Sequence, residues 1–216
     1  MRSAAVPVGA QIVDTDTAIA APTAAMLAAA GVVGVVRYLS RATPNHPGDL
    51  SAAETAAIIG AGLGLMAVQH AAPPRRWWPE AALGTAQGRA AAANAHDAGL
   101  SAGTTLWLDF EETAPGATAA DAIDYCNAWT REVIAGGFEP GLYVGPNQPL
   151  SGEDLYWRLA LKIYWRSAAI VPDVPARGYA MRQSAPRQLA GIIVDQDVVL
   201  GDAFGNRPHW SVISNP

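Results

Sequence analysis

The amino-acid sequence predicts an α/β protein, a single (β/α)8 barrel over residues 1–216. Short apolar or β-branched runs alternate with helical segments, the pattern of successive βα units on a parallel sheet. Eight such runs are found in a chain near the lower end of the length range for that barrel. The glycine-rich phosphate turn of a doubly wound nucleotide-binding sheet is missing after the first run, which favours the barrel over an open sheet.

The first strand is QIVD, 11–14. Pro22 then opens a helix that Gly31 ends, by the usual asymmetry of proline at helix starts and glycine at helix ends. VGVVRYLS, 33–40, is the second strand. Ser51 and Glu54 have the spacing of a capping box for the helix SAAETAAIIGAG. LGLMAVQH, 63–70, is the third strand, followed by the loop AAPPRRWWPE and a helix over 83–98 that Gly99 closes. TTLWLDFEE, 104–112, is the fourth strand, a helix over 119–135 stops at Gly136 and Gly137, and GLYVG, 141–145, is the fifth. Beyond it SGEDLYWRLA reads as a short helix, and the runs 162–167, 178–183 and 191–199 complete the eight, with short or missing helices between them. The alanine-rich helices are expected to lie close against a flat sheet.

The charge balance, 14 Lys and Arg against 19 Asp and Glu, gives no clustered basic face, so nucleic acid is not an expected partner. No apolar run approaches the roughly 20 residues of a membrane-spanning helix. Asp14 and Asp16 interrupt the place where the apolar core of a secretion signal would sit, which leaves a cytoplasmic protein, a trimmed mature chain or a lytic protein released by another route. The lone Cys126 falls in a helix and reads as a buried structural thiol. His46, His70, His96 and His209 show no zinc-ligand spacing, no cofactor is expected, and a monomer is.

In a parallel barrel the reactive groups stand where strands end. Those ends are acidic: Asp14 and Asp16 on the first strand, Asp109, Glu111 and Glu112 on the fourth, Asp195 and Asp197 on the eighth. Members separated by one residue share a face, because side chains alternate along a strand. Asp109 and Glu111 therefore face the barrel axis and Phe110 the helices. Glycoside cleavage needs a carboxylic acid to protonate the leaving oxygen and a carboxylate to support the oxocarbenium-like centre. Crowded carboxylates push their pKa values apart, so one stays protonated near neutrality. Capping of the following helix is the alternative role for Asp14, Asp16 or Asp197, and a magnesium or calcium site is an alternative for the cluster.

Aromatic, amide and guanidinium groups near the other strand ends suit a sugar groove: Arg37 and Tyr38, Gln69 and His70, Tyr143, Trp165, and Gln183. Trp77 and Trp78 in the third loop form a sugar platform or pin the loop to the barrel. Trp107 and Trp129, inside elements, read as core.

The segments VVRYLSRATPNHPGDLSAAETAAIIGAGLGLMAVQ, AGTTLWLDFEE, EPGLYVG and MRQSAPRQLAGIIVDQD resemble the glycoside-hydrolase-like barrels known as domain of unknown function 1906, relatives of the glycoside hydrolase family 25 lysozymes. The resemblance implies a barrel that cleaves or binds peptidoglycan or a related amino-sugar glycan at the cell wall. It implies Glu111 as general acid, Asp109 supporting the positive intermediate or orienting the acetamido group, and Asp14 (or Asp16) and Asp195 holding that pair. The family also contains barrels without established hydrolysis, so a catalytically inactive carbohydrate-binding barrel is the alternative to a muramidase.

Overall fold

A computed structural model describes residues 1–214. Its strands are β1 (Arg2–Ala5), β2 (Gln11–Thr15), β3 (Gly34–Leu39), β4 (Gly64–Gln69), β5 (Thr105–Phe110), β6 (Glu139–Val144), β7 (Ile163–Arg166), β8 (Met181–Leu189), β9 (Ile192–Val199) and β10 (His209–Val212). Four α-helices, α1 (Ala21–Ala29), α2 (Ala52–Gly60), α3 (Ala81–Asp97) and α4 (Ala119–Ala135), lie between the early strands, and a single π-helical turn over Asp154–Arg158 stands where a short helix was expected. The eight predicted strands are β2 to β9.

These eight close into a barrel: hydrogen bonding runs β4-β3-β2-β9-β8-β7-β6-β5, and β5 pairs back to β4. The open sheet is thereby excluded. The barrel is mixed rather than all-parallel, because β9 runs antiparallel to both β8 and β2. A tight turn at Ala190 and Gly191 reverses the chain where a crossover helix would be needed for a parallel strand. The mouth end of β9 is consequently its start, so Asp195 lies nearer the mouth than Asp197.

Two strands escaped the sequence reading. β1 and β10 pair with each other antiparallel, and β10 joins the bottom of β4 through Ser211 and Leu65. There β4 and β5 are splayed, pairing only from Ala67 to Gln69 against Leu106 to Leu108. Trp210 of β10 plugs this end. It lies so close to Gly34 and Gly64 that a Cβ on Gly64 would fall 2.2 Å from its ring.

The helices form the outer layer. Ser51 caps α2 by accepting from the Glu54 amide at 3.2 Å, but the Glu54 carboxylate turns inward and does not complete the expected box. A full capping box starts α4 instead, between Thr118 and Asp121. The small residues of α3 serve helix contact as well as sheet contact: a Cβ on Gly84 would meet the Tyr125 carbonyl oxygen of α4 at 2.3 Å, and one on Gly88 the Trp129 oxygen at 2.6 Å. Cys126 and Trp129 of α4 are fully buried in this layer, as expected, and burial pushes the Cys126 thiol well up. Among the described residues no helix is long and apolar enough to cross a membrane.

Candidate active site

The barrel interior is built in layers, and the site is the layer above the apolar one. Ile12, Val36, Val68, Trp107, Met181 and Val199 pack together inside the barrel with Trp165 and Trp210. Two residues further toward the mouth on the same faces stand Asp14, Tyr38, His70, Asp109 and Gln183, with Tyr143 beside Asp109 in register on β6. Asp14 is directly opposite Asp195 in the β2–β9 pairing. The predicted convergence of the three acidic strand ends is thus a consequence of register.

A well of about 210 Å³, walled by Tyr38, Asp109, Glu111, Tyr143, Gln183 and Asp195, opens at this layer. Asp109 and Glu111 also wall a wider cleft of about 580 Å³ on the other side, with Arg41, His46, Asp49 and His70. These two carboxyl groups therefore stand between the chambers. A third hollow of about 310 Å³ is lined by Asp14, Asp16 and Asp195. A further depression, about 820 Å³, lies on the flank between residues 18–21 and 44–57 and does not include Glu111 in its walls.

Glu111 is half-buried and makes no ion pair among the described salt bridges. It packs on Gly145, where a Cβ would fall 2.3 Å from Oε2, so glycine at the end of β6 makes room for the acid. Burial, then the charge of Glu112, holds its carboxyl above the usual range and favours the protonated form. Asp109 is pushed further up by burial first, then by Glu111 and Asp14, and its Oδ1 is buried without a hydrogen-bond partner.

Below them, Tyr143 donates its hydroxyl to Gln183 Oε1 at 2.9 Å, and Gln183 Nε2 donates to Asp14 Oδ2 at 3.1 Å. Asp197 is held well above the usual carboxylate range by burial first and then by the neighbouring Asp14, and Trp165 Nε1 donates to Asp197 Oδ1 at 2.8 Å. Burial, opposed by hydrogen bonds from Gln183 and Asp197, brings Asp14 to about 6. Asp195 is raised by partial burial and then by Asp16, which is itself exposed on the rim. Of the two candidate aspartates on the first strand, Asp14 is the one inside the barrel.

Several expected groove residues are elsewhere. Arg37 is fully buried on the helix side of β3, where Nε bonds Glu54 at 2.6 Å and Nη2 the Gly48 carbonyl at 2.7 Å, so it cannot touch a ligand in the well. Gln69 likewise faces the helices, donating to the Ser40 and Gln87 carbonyls and accepting from Trp129 Nε1 at 2.8 Å. Trp77 is buried and pins its loop by donating to the Glu111 carbonyl at 3.1 Å, while Trp78 is 42% exposed. Trp165, though almost fully buried, forms part of the wall of the well as expected, whereas Asp197 is buried beneath it and is held by Trp165.

Asp49, Ser40 and Gly145 were not among the expected site residues, although each lies in a segment that carries the family resemblance. Asp49 holds the His70 imidazole at Nε2, 2.7 Å away, and accepts from the Ser40 hydroxyl, while His70 packs against Tyr38 with ring centroids 4.6 Å apart. Among the described residues no group of three or more His, Cys, Asp or Glu side chains is arranged to hold a metal ion.

The fold has solved counterparts. The Tat-secreted protein Rv2525c of Mycobacterium tuberculosis superposes with a TM-score of 0.68 at 19% identity, over 92% of this chain and 98% of that one. The lysozyme of Streptomyces coelicolor gives 0.62 at 18% identity, over 92% and 95%. The catalytic domain of the endolysin ply40 from Listeria monocytogenes bacteriophage P40 gives 0.61 at 15%, over 90% and 94%. No curated protein matches the sequence. The family model described as the Rv2525c-like, glycoside hydrolase-like domain matches residues 25–193, and the chain belongs to that family.

Proposed function

We propose that the protein is a muramidase-like glycoside hydrolase that cleaves β-1,4 amino-sugar bonds of bacterial peptidoglycan at the cell wall. The observation that carries this reading is the position of Glu111: unpaired, raised in pKa, and shared with Asp109 between two chambers of one open groove. In this role Glu111 donates its proton to the glycosidic oxygen as the bond to the anomeric carbon breaks. Asp109 meets the positive charge that develops there, or orients the acetamido group. Asp14 and Asp195 hold the pair and tune its protonation. Tyr38, His70, Tyr143, Gln183 and, at the rim, Trp78 and Asp16 bind sugar. The fold shared with a lysozyme and an endolysin domain supports the choice of glycan.

Purified protein incubated with peptidoglycan over a range of pH is expected to release new reducing ends, and Glu111→Gln to release none. Equal blank traces for both proteins, with peptidoglycan still pulling the protein down, would establish a carbohydrate-binding barrel in place of a hydrolase.

A further inference from the structure

Three residues with left-handed backbone surround Glu111, and none is glycine: Arg75 (φ 57°), Glu112 (φ 50°) and Asn147 (φ 53°). They come from three different loops, those after β4, β5 and β6. Hydrogen bonds join them. The Arg75 amide donates to the Glu112 carbonyl at 2.7 Å, the Glu112 amide to the Pro146 carbonyl at 2.9 Å, and the Thr113 amide to the Asn147 carbonyl at 3.1 Å. Asn147 Nδ2 donates to Glu112 Oε1 at 2.8 Å. Only two further non-glycine residues among those described, Ala176 and Ala190, have positive φ. L-residues hold this conformation only where the surroundings over-determine it, and such strain concentrates at functional sites.

We infer that Glu112 is a positioning residue for Glu111, its strained backbone and Asn147-anchored carboxylate forming a three-loop strap that turns the Glu111 side chain over Gly145 and into the groove. The inference rests on the reading of Glu111 as general acid. A strap that served loop closure alone would be better made with glycine at 112, which adopts positive φ without strain. Glutamate there adds a second carboxylate held beside the first, and its charge is one of the two causes that keep the Glu111 carboxyl above the usual range. The other charged or titratable groups around Glu111 are Asp109 on its own strand, Tyr38 on β3, Tyr143 on β6, Asp195 on β9, and Arg41, His46, Asp49 and His70 across the wider cleft.

The test compares wild type with Glu112→Gln and Glu112→Gly by three readouts: the carbon-13 NMR titration of the Glu111 carboxyl, thermal melting, and the pH profile of kcat and KM on peptidoglycan. In Glu112→Gln the Glu111 carboxyl is expected to titrate at lower pH, with the acid limb of the kcat profile moving with it. Glu112→Gly is expected to melt no lower than wild type yet lose roughly tenfold or more in kcat with a smaller change in KM, because a slightly misplaced acid binds substrate but protonates it poorly. An unchanged Glu111 titration in Glu112→Gln overturns the inference, as does wild-type kcat in Glu112→Gly. If wild type releases no reducing ends while the Glu111 midpoint still moves in Glu112→Gln, the hydrolase reading fails and the positioning of Glu111 by Glu112 stands.

Discussion

Gly145 lies against Glu111 so closely that any side chain there would displace the acid: an added Cβ would be 2.3 Å from Oε2 and 2.5 Å from the Glu111 Cβ. Gly145 follows β6 while Glu111 follows β5, so the acid reaches the groove across its neighbour's missing side chain. Gly145→Ala is expected to leave the circular dichroism spectrum unchanged and to lower kcat/KM on peptidoglycan by about 100-fold, the scale set by displacing a catalytic group by an ångström. Unaltered activity in a folded Gly145→Ala protein would place the reacting bond elsewhere.

The raised carboxyl of Asp14, buried beside Asp197, gives stability a pH dependence of definite sign. Asp14 is raised from 3.8 to about 6 in the folded protein, so the folded state binds the proton more tightly than the unfolded chain. The contribution is complete below about pH 4 and is lost as pH rises through about 6, an effect of about 3 kcal/mol at most. Asp197→Asn preserves the acceptor for Trp165 and supplies a permanent donor to Asp14. Melting curves between pH 4 and 8 are expected to show this variant gaining on wild type toward pH 8 and matching it near pH 4; a parallel offset at all pH values would contradict the coupling of the two carboxyls.

Arg37 is a structural cation. Its guanidinium, fully buried, ties Glu54 of α2 to the Thr15 and Gly48 carbonyls, and Glu54 also accepts from the Ile19 amide at 2.6 Å. Arg37→Met removes the partner of a buried carboxylate and should cost about 3–5 kcal/mol in denaturant unfolding. A loss below about 1 kcal/mol would mean that Glu54 is compensated without it.

Trp78 offers an exposed indole above the loop after β5, near Gly116. Trp78→Ala is expected to weaken binding of a chitin oligomer by about 1 kcal/mol while leaving the melting temperature within a degree or two. The reverse pattern, lower stability with unchanged binding, would assign it to loop packing.

How legible all this was depends on where the determining contacts lie. The strands β3, β4 and β5 are apolar runs bounded by glycine or polar loops, and α4 runs over the residues its pattern predicts, so local sequence was sufficient for them. The direction of β9 was not readable, since IIVDQDVV presents the same alternation in either direction and only pairing with β2 and β8 decides it. β1 and β10 are four residues each and exist through contacts some two hundred residues apart. Alternation correctly put Asp109 and Glu111 on one face. It did not separate Arg37 from Tyr38 or Gln69 from His70, because strands apolar on both faces do not say which face is the interior. Asp49 and Gly145 matter only through what the fold brings next to them.

The most direct test of the account is a crystal structure of Glu111→Gln soaked with an N-acetylglucosamine–N-acetylmuramic acid oligomer. The account predicts sugars in both chambers flanking residue 111, with a glycosidic oxygen within about 3.2 Å of its carboxamide. An oligomer seated on the flank depression or at the Trp210 end of the barrel, with the groove empty, would contradict it.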